Sequence, residues 1–106
     1  MMTEEMKRKY TARICAIPMP LKLLLAPMPR YLEGLVPDDV IQERGRTALR
    51  YWMFHQSKQD LEASYSQEIR LMLQILAAEE DREAILRAIQ DYLNEEEQPR
   101  KMYFLE

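Results

Sequence analysis

The fold is decided by the stretch LEASYSQEIRLMLQIL, which spans residues 61–76. Its apolar residues recur three or four positions apart, as they do on one side of an α-helix. They are Leu61, Tyr65, Ile69, Met72 and Leu76, and Leu71, Leu73 and Ile75 widen the same side. Because so broad an apolar arc belongs to a helix buried against more than one neighbour, we predict that residues 61–76 form the centre of the core.

The apolar pattern is interrupted at Glu79, Glu80 and Asp81. A second apolar stripe follows, rotated by about a third of a turn from the first when each residue advances by about 100°. Its members are Ile85, Ala88, Ile89, Tyr92 and Leu93. This change of direction predicts a tight turn and a helical hairpin, with helices near residues 58–78 and 81–95.

A third helix is predicted near residues 38–56. Pro37 and the two aspartates that follow it are typical of a helix N-terminus. Ser57 and Asp60 form a capping-box pattern that separates this helix from the next. Gly45 lies on the apolar face, although a glycine inside a helix costs about 1 kcal/mol relative to alanine. We expect either that another helix approaches closely at Gly45 or that the helix breaks there.

Residues 1–17 are predicted to form an N-terminal helix. Thr3 has the hydroxyl group of a helix cap, and the two glutamates after it favour the positive end of a helix dipole. A strand is the alternative, because apolar residues also alternate over residues 10–16.

Residues 18–37 hold five of the six prolines. Each proline removes a backbone donor and moves its predecessor out of the α region, so a long helix is excluded here. Short helical turns remain compatible with the sequence at residues 20–26 and 31–35. The segment is rich in leucine, and we expect a domain this small to leave part of its apolar surface for a partner.

Together these elements predict an all-α fold, a small helical bundle of three principal helices in one domain of residues 1–106. The N-terminal helix (1–17) and a Pro-rich connecting segment (18–37) pack against the bundle (38–95), and a tail follows (96–106). A chain of 106 residues and 12.7 kDa is the size of one domain. Its two glycines are too few for the tight turns of an all-β fold.

The sequence contains no motif for catalysis, metal binding or cofactor binding. One histidine, His55, and one cysteine, Cys15, are too few for a zinc or iron site. A triad of His55, Ser57 and Asp60 can be drawn, but the last two are already explained as a cap. Carboxylates at residues 79–83 point in different directions on a helix and do not converge on a cation. We predict no enzyme activity, no catalytic residue, no metal and no cofactor.

The sequence also predicts a cytoplasmic protein without membrane association. A single cysteine cannot form an internal disulfide, which is typical of a reducing compartment. No apolar run reaches the roughly 20 residues that span a bilayer. The polar residues 1–10 do not match a signal peptide.

Charge is divided unevenly, with a net +4 over residues 1–58 and a net −7 over residues 59–106. The basic half favours a second hypothesis, a nucleic-acid-facing regulator in which Gly45 lies in the turn of a helix-turn-helix motif. The candidate contacts are Arg44, Arg46 and Arg50. A pI near 5.3 weighs against a dedicated DNA-binding protein. The acidic half favours the opposite hypothesis, an inhibitor from a mobile element that mimics nucleic acid.

The preferred prediction is a non-enzymatic protein-interaction module that acts as an adaptor, a small subunit or an inhibitor and associates with itself. It rests on the surplus of apolar surface and on eight methionines, which adapt to irregular partners. The candidate partner surface consists of Leu21, Leu24, Leu25, Met28, Tyr31, Leu32, Met102, Tyr103 and Phe104.

Overall fold

A computed structural model describes residues 2–97, and every regular element in that range is an α-helix. The helices of these residues are α1 (Glu4–Ile14), α2 (Met19–Leu25), α3 (Met28–Leu32), α4 (Asp38–Met53), α5 (Lys58–Ser64), α6 (Ser66–Ala78) and α7 (Arg82–Asn94). The predicted all-α fold is thereby confirmed for the described residues. None of these helices is both long enough and apolar enough to cross a membrane.

The N-terminal helix α1 begins as predicted at Thr3, whose hydroxyl oxygen accepts a hydrogen bond from the Met6 backbone N–H at 3.2 Å. Residues 10–16 are therefore not a strand, and that alternative is wrong. Tyr10 and Ile14, one helical turn apart, are both buried. The Tyr10 hydroxyl donates to the Leu25 carbonyl oxygen at 2.5 Å, which fastens α1 to α2.

The Pro-rich segment forms α2 and α3 and supplies fully buried side chains to the core. Pro20 lies in the first turn of α2, where its missing N–H costs no helical hydrogen bond. Leu21, Leu24 and Leu25 follow at helical spacing and are at most 1% exposed. Gly34, with a φ of +80°, ends α3 by donating to the Tyr31 carbonyl at 3.0 Å.

The contact between α2 and α4 is the most extensive contact between any two of these helices, and α2 also touches α6. The helix α2 is therefore part of the core rather than a connector. The prediction of three principal helices with a Pro-rich connecting segment is therefore not confirmed. Each buried leucine of α2 contributes about 1.5–3 kcal/mol relative to an exposed one.

Gly45 marks the close approach of α4 and α6. A Cβ atom placed on Gly45 would lie 2.6 Å from Cδ2 of Leu76 and 3.9 Å from Cδ1 of Leu24. The helix runs without a break from Asp38 to Met53. Close packing is thus the confirmed alternative. The helix break is wrong, and so is the helix-turn-helix motif with Gly45 in its turn.

The predicted helix at residues 58–78 is divided at Tyr65 into α5 and α6. Tyr65 has a φ of −129° and a ψ of 34°, which lie outside the α-helical range. Serines flank it on both sides, and serine side chains favour helix ends. Ser57 occupies the N-cap of α5, but within the described residues its side chain makes no cap hydrogen bond, so the predicted capping box is wrong.

The helical hairpin at residues 79–81 is confirmed. Asp81 caps α7 by accepting from the Ala84 N–H at 3.1 Å. The Ala78 carbonyl accepts from the Asp81 N–H at 3.0 Å, and Glu79 between them has a φ of +54° and a ψ of −115°. This is the geometry of a type II′ turn, which usually requires glycine at the position of Glu79.

Asp38, the first residue of α4, links this helix to α3 of the Pro-rich segment and to α7. Its Oδ1 accepts from the Tyr31 hydroxyl at 2.6 Å and from Nη2 of Arg82 at 3.0 Å. The Arg82 guanidinium carbon also lies 4.6 Å from the centre of the Tyr31 ring. Burial, together with the hydrogen bond to Asp38, raises the pKa of Tyr31 to about 12.

Candidate interaction surface

Most of the predicted partner surface is buried inside the chain. Leu21, Leu24, Leu25, Met28 and Tyr31 are at most 1% exposed, so they cannot contact a partner in this fold. The prediction is wrong for these five residues, because the short helices that the prolines permit turn their apolar sides inward. Leu32 is half-buried against the core. Met102, Tyr103 and Phe104 lie outside the described residues, and for them the prediction stays a prediction.

A group of exposed apolar side chains lies instead where α4 ends beside the start of α2. Phe54, directly after α4, is 82% exposed, and Tyr51 one turn earlier is 55% exposed. Met19, the first residue of α2, is 60% exposed. Pro20 brings this end of α2 next to the two aromatic side chains. We refer to Met19, Pro20, Tyr51 and Phe54 as the α4 patch.

A surface depression of about 440 Å³ accompanies the α4 patch. It is lined by Pro20, Tyr51 and Phe54 on its apolar side and by residues 55–57 on its polar side. The His55 Nδ1 accepts a hydrogen bond from the Ser57 backbone N–H at 3.0 Å. This bond holds the polar wall and places the Ser57 backbone, not its hydroxyl group, against the imidazole.

The stretch of sequence that contains Tyr51 and Phe54 is basic. Residues 44–59 contain four Lys/Arg and no Asp or Glu. Among residues 2–97, neither Arg44 nor Arg50 has a carboxylate oxygen within 4.0 Å, whereas Arg46 pairs with Glu43 at 2.7 Å. The Arg44 guanidinium instead donates to the Leu23 carbonyl oxygen at 3.3 Å. The three arginines predicted as nucleic-acid contacts are all exposed on α4. Arg50 directly precedes Tyr51 of the patch, whereas Arg46 lines a separate depression with Glu79 and Glu80.

Trp52, the one tryptophan of the chain, directly follows Tyr51 on α4. Its ring is half-buried, and Nζ of Lys58 lies 4.8 Å from the ring centre. Lys58 also pairs with Glu62 at 2.7 Å. These contacts hold the start of α5 against α4.

Sequence reasoning missed the α4 patch. The prediction that Gly45 lies on the apolar face of α4 is confirmed, and Ile41 and Ala48 are buried on the same helix. A signal was present. Apolar residues that do not belong to the buried stripe recur at helical spacing as Val40, Tyr51 and Phe54.

A buried polar cluster lies elsewhere, between α1, α6 and α7. Nη1 of Arg13 donates to the Tyr92 carbonyl oxygen at 2.8 Å, and its Nη2 donates to Oε1 of Gln67 at 3.3 Å. The Tyr92 hydroxyl donates to the carboxylate of Glu68, which is 2% exposed. Burial raises the pKa of neighbouring Tyr10 well above its usual value, and the Tyr92 and Glu68 side chains act in the same direction. The cluster joins three helices and has the character of a structural network.

Glu95 extends this network to the surface. It accepts from Nε2 of Gln67 at 3.1 Å and from the Arg70 guanidinium. Burial works to raise the pKa of its carboxyl group, but hydrogen bonds from Gln67 and Arg70, with the charges of Arg70 and Arg13, outweigh burial and lower that pKa. A depression of about 360 Å³ between α1 and α7 lies nearby, but its Lys9 is already paired with Glu5 at 3.4 Å.

Over residues 2–97, no three His, Cys, Asp or Glu side chains are grouped closely enough to hold a metal ion. The exposed Cys15 is a free thiol. Comparison of the chain with models of protein families, with curated proteins and with solved structures finds no match in any of the three.

Proposed function

We propose that the protein is a non-enzymatic protein-interaction module and that the α4 patch is its contact surface. The observation that carries the proposal is the exposure of Phe54 and Tyr51, side by side, next to a depression. Burying one such side chain is favourable by about 1.5–3 kcal/mol, so a partner that covered it would gain that much binding free energy. Aromatic residues, methionine and arginine are also the types enriched at protein interfaces. Adaptor, small subunit and inhibitor are all roles that such a module performs.

The experiment compares three full-length baits in an extract of the cells that make the protein. They are the wild type, Phe54→Asp and the control Leu35→Asp. Leu35 is 67% exposed and lies after α3, away from the patch, so the control introduces the same charge at another exposed apolar position. We expect Phe54→Asp to lose a partner that the other two baits retain. Partners captured equally by all three baits would show that the patch is not the contact surface.

Self-association is the less favoured form of the proposal. A symmetric pair that used the same patch on both copies would bring the exposed Arg50 side chains of both copies into one interface. Like charges brought together in an interface are unfavourable. Sedimentation velocity separates the two forms: a monomer indicates a different chain as the partner, and a dimer that Phe54→Asp dissociates indicates a second copy.

A nucleic-acid-binding regulator is the second candidate, supported by the acid-free run of residues 44–59 around the exposed Tyr51 and Phe54. Bases of a single strand stack on exposed aromatic side chains, and arginines neutralise its phosphates. Fluorescence anisotropy with labelled single-stranded DNA and RNA tests this candidate. It predicts binding that weakens steeply with salt and is lost when Arg46→Glu and Arg50→Glu are combined.

A further inference from the structure

We infer that the partner of the α4 patch is an acidic helical segment of another protein that carries apolar anchor residues. The inference rests on the proposed function, since it names the chemistry of the partner at the same surface. Three observations carry it: the charge around the patch, the shape of the patch, and the elements that the patch offers for contact.

The positive charge near the patch indicates that the partner is acidic. Arg50 directly precedes Tyr51 on α4, and Arg44 lies about 9 Å farther back along the helix axis at 1.5 Å per residue. In the described part of the chain both guanidinium groups are exposed, and neither has a carboxylate within 4.0 Å. Arginine binds carboxylates through paired N–H donors, so Arg50, beside Tyr51, can bind an acidic side chain of a partner. Arg44 already donates to the Leu23 carbonyl oxygen through its Nη1.

The shape of the patch indicates that the partner carries apolar anchor residues. The depression of about 440 Å³ is open at the surface, and its apolar wall is made by Pro20, Tyr51 and Phe54. A leucine or phenylalanine of a partner would remove both aromatic rings from water at once. Interface energy is concentrated in such aromatic and arginine residues. The patch therefore combines an apolar wall with the exposed Arg50, which directly precedes Tyr51.

The secondary structure of the protein favours a helical partner segment. Residues 2–97 contain no β-strand, so this part of the protein offers no sheet edge to which an extended peptide can add. An amphipathic helix instead presents apolar residues at positions i, i+3, i+4 and i+7 and carboxylates along both flanks. Such a helix can place an apolar residue against Tyr51 and Phe54 and a carboxylate against Arg50.

Two designed peptides test the inference on the full-length protein. Both have the same length of about 16 residues and the same leucine and phenylalanine anchors, a helix long enough for two apolar turns. One carries glutamate on its flanks and the other carries lysine at the same positions. Neither contains tryptophan, so the fluorescence of Trp52 reports binding without a label, and anisotropy of a fluorescein-labelled copy provides a second readout.

We expect the glutamate peptide to bind about tenfold or more tightly than the lysine peptide and to weaken when ionic strength rises from about 50 to about 300 mM. Arg50→Glu should reverse the preference between the peptides, and Phe54→Ala should weaken the glutamate peptide about tenfold. The matched control is Arg87→Glu, an exposed arginine on α7, which should leave the preference unchanged.

Equal binding of both peptides would overturn the inference, and so would the absence of binding by either. So would a preference that Arg87→Glu abolishes as effectively as Arg50→Glu. Tight binding of a single-stranded oligonucleotide in place of the glutamate peptide, lost in Arg50→Glu, would assign the surface to nucleic acid. If both peptides bind equally, or if neither binds, the proposed function is judged separately. The patch could then still be the contact surface for a partner of different chemistry, and Phe54→Asp would still lose that partner in the cell extract.

Discussion

Arg13 contacts Tyr92 twice. Its guanidinium carbon lies 4.0 Å from the centre of the Tyr92 ring, and its Nη1 donates to the Tyr92 carbonyl oxygen at 2.8 Å. The same side chain reaches Gln67 on α6, so one buried cation links α1 to both helices of the hairpin. A buried charge is tolerated where hydrogen bonds and an aromatic face replace its water.

Replacing this arginine should show how much the link contributes. We expect Arg13→Lys to lower the free energy of unfolding by about 2 kcal/mol, because an ammonium group cannot hydrogen-bond Tyr92 and Gln67 in the fork geometry of a guanidinium. Urea denaturation measures the change. Arg8→Lys, on the exposed face of the same helix, is the control and should be neutral. Equal effects of the two substitutions would contradict the role assigned to Arg13.

Ionisation of Glu95 should make the free energy of unfolding depend on pH in the acid range. Its pKa is lowered in the folded protein below its usual value of 4.5, so its contribution is complete above that value and is lost as the pH falls through the lower, folded value. We therefore expect the wild type to lose more stability than Glu95→Gln when the pH is lowered below about 4.5. Chemical denaturation over this pH range measures the difference, and parallel curves would refute it. The effect is small because the side chain is 37% exposed.

Gly45 and Leu76 should be energetically coupled. Gly45→Ala raises helix propensity by about 1 kcal/mol but places a methyl group 2.6 Å from the Leu76 Cδ2. Since that atom ends a flexible, half-buried side chain, the two effects should nearly cancel in the wild type. In a Leu76→Ala background the same change should stabilise the protein by about 1 kcal/mol. A double-mutant cycle by urea denaturation tests this, and a coupling energy of zero would disprove the close contact.

Glu79 should be replaceable with a gain in stability. Its φ of +54° with a ψ of −115° is a conformation that glycine adopts easily and that other residues adopt with strain. We expect Glu79→Gly to raise the free energy of unfolding by about 1 kcal/mol. Glu79→Ala removes the same carboxylate without relieving the backbone, so it should give no gain. Thermal and urea unfolding compare the three proteins, and equal stability of the glycine and alanine variants would argue against strain at this turn.

Local signals were sufficient to predict several elements of the fold. The Thr3 cap, the acidic first turn of α4 and the change of stripe direction at residues 79–81 all depend on residues close in sequence, and each predicted element is present. The break at Tyr65 was not predictable in this way. Apolar residues at positions 61, 65, 69 and 72 have helical spacing whether or not the backbone bends between them, so the pattern does not register a kink.

The candidate surface depends on long-range packing, which is why it was mislocated. Leu21 and Phe54 are both large apolar residues beside prolines or polar residues, and composition does not distinguish them. The difference arises because α2 lies against α4 and α6 and covers Leu21 completely, while α4 ends before any helix covers Phe54. Only the arrangement of helices far apart in sequence decides which apolar residues remain for a partner.

The most direct test of the interaction surface is site-specific photo-crosslinking in living cells. A photoreactive benzoylphenylalanine is placed in the full chain in place of Tyr51, Phe54 or, as a control, Leu35. After irradiation, the masses of the crosslinked products are compared. We predict a product with another protein from positions 51 and 54 and none from position 35. Absence of a product at 51 and 54, or the same product from all three positions, would contradict the assignment of the α4 patch as the contact surface.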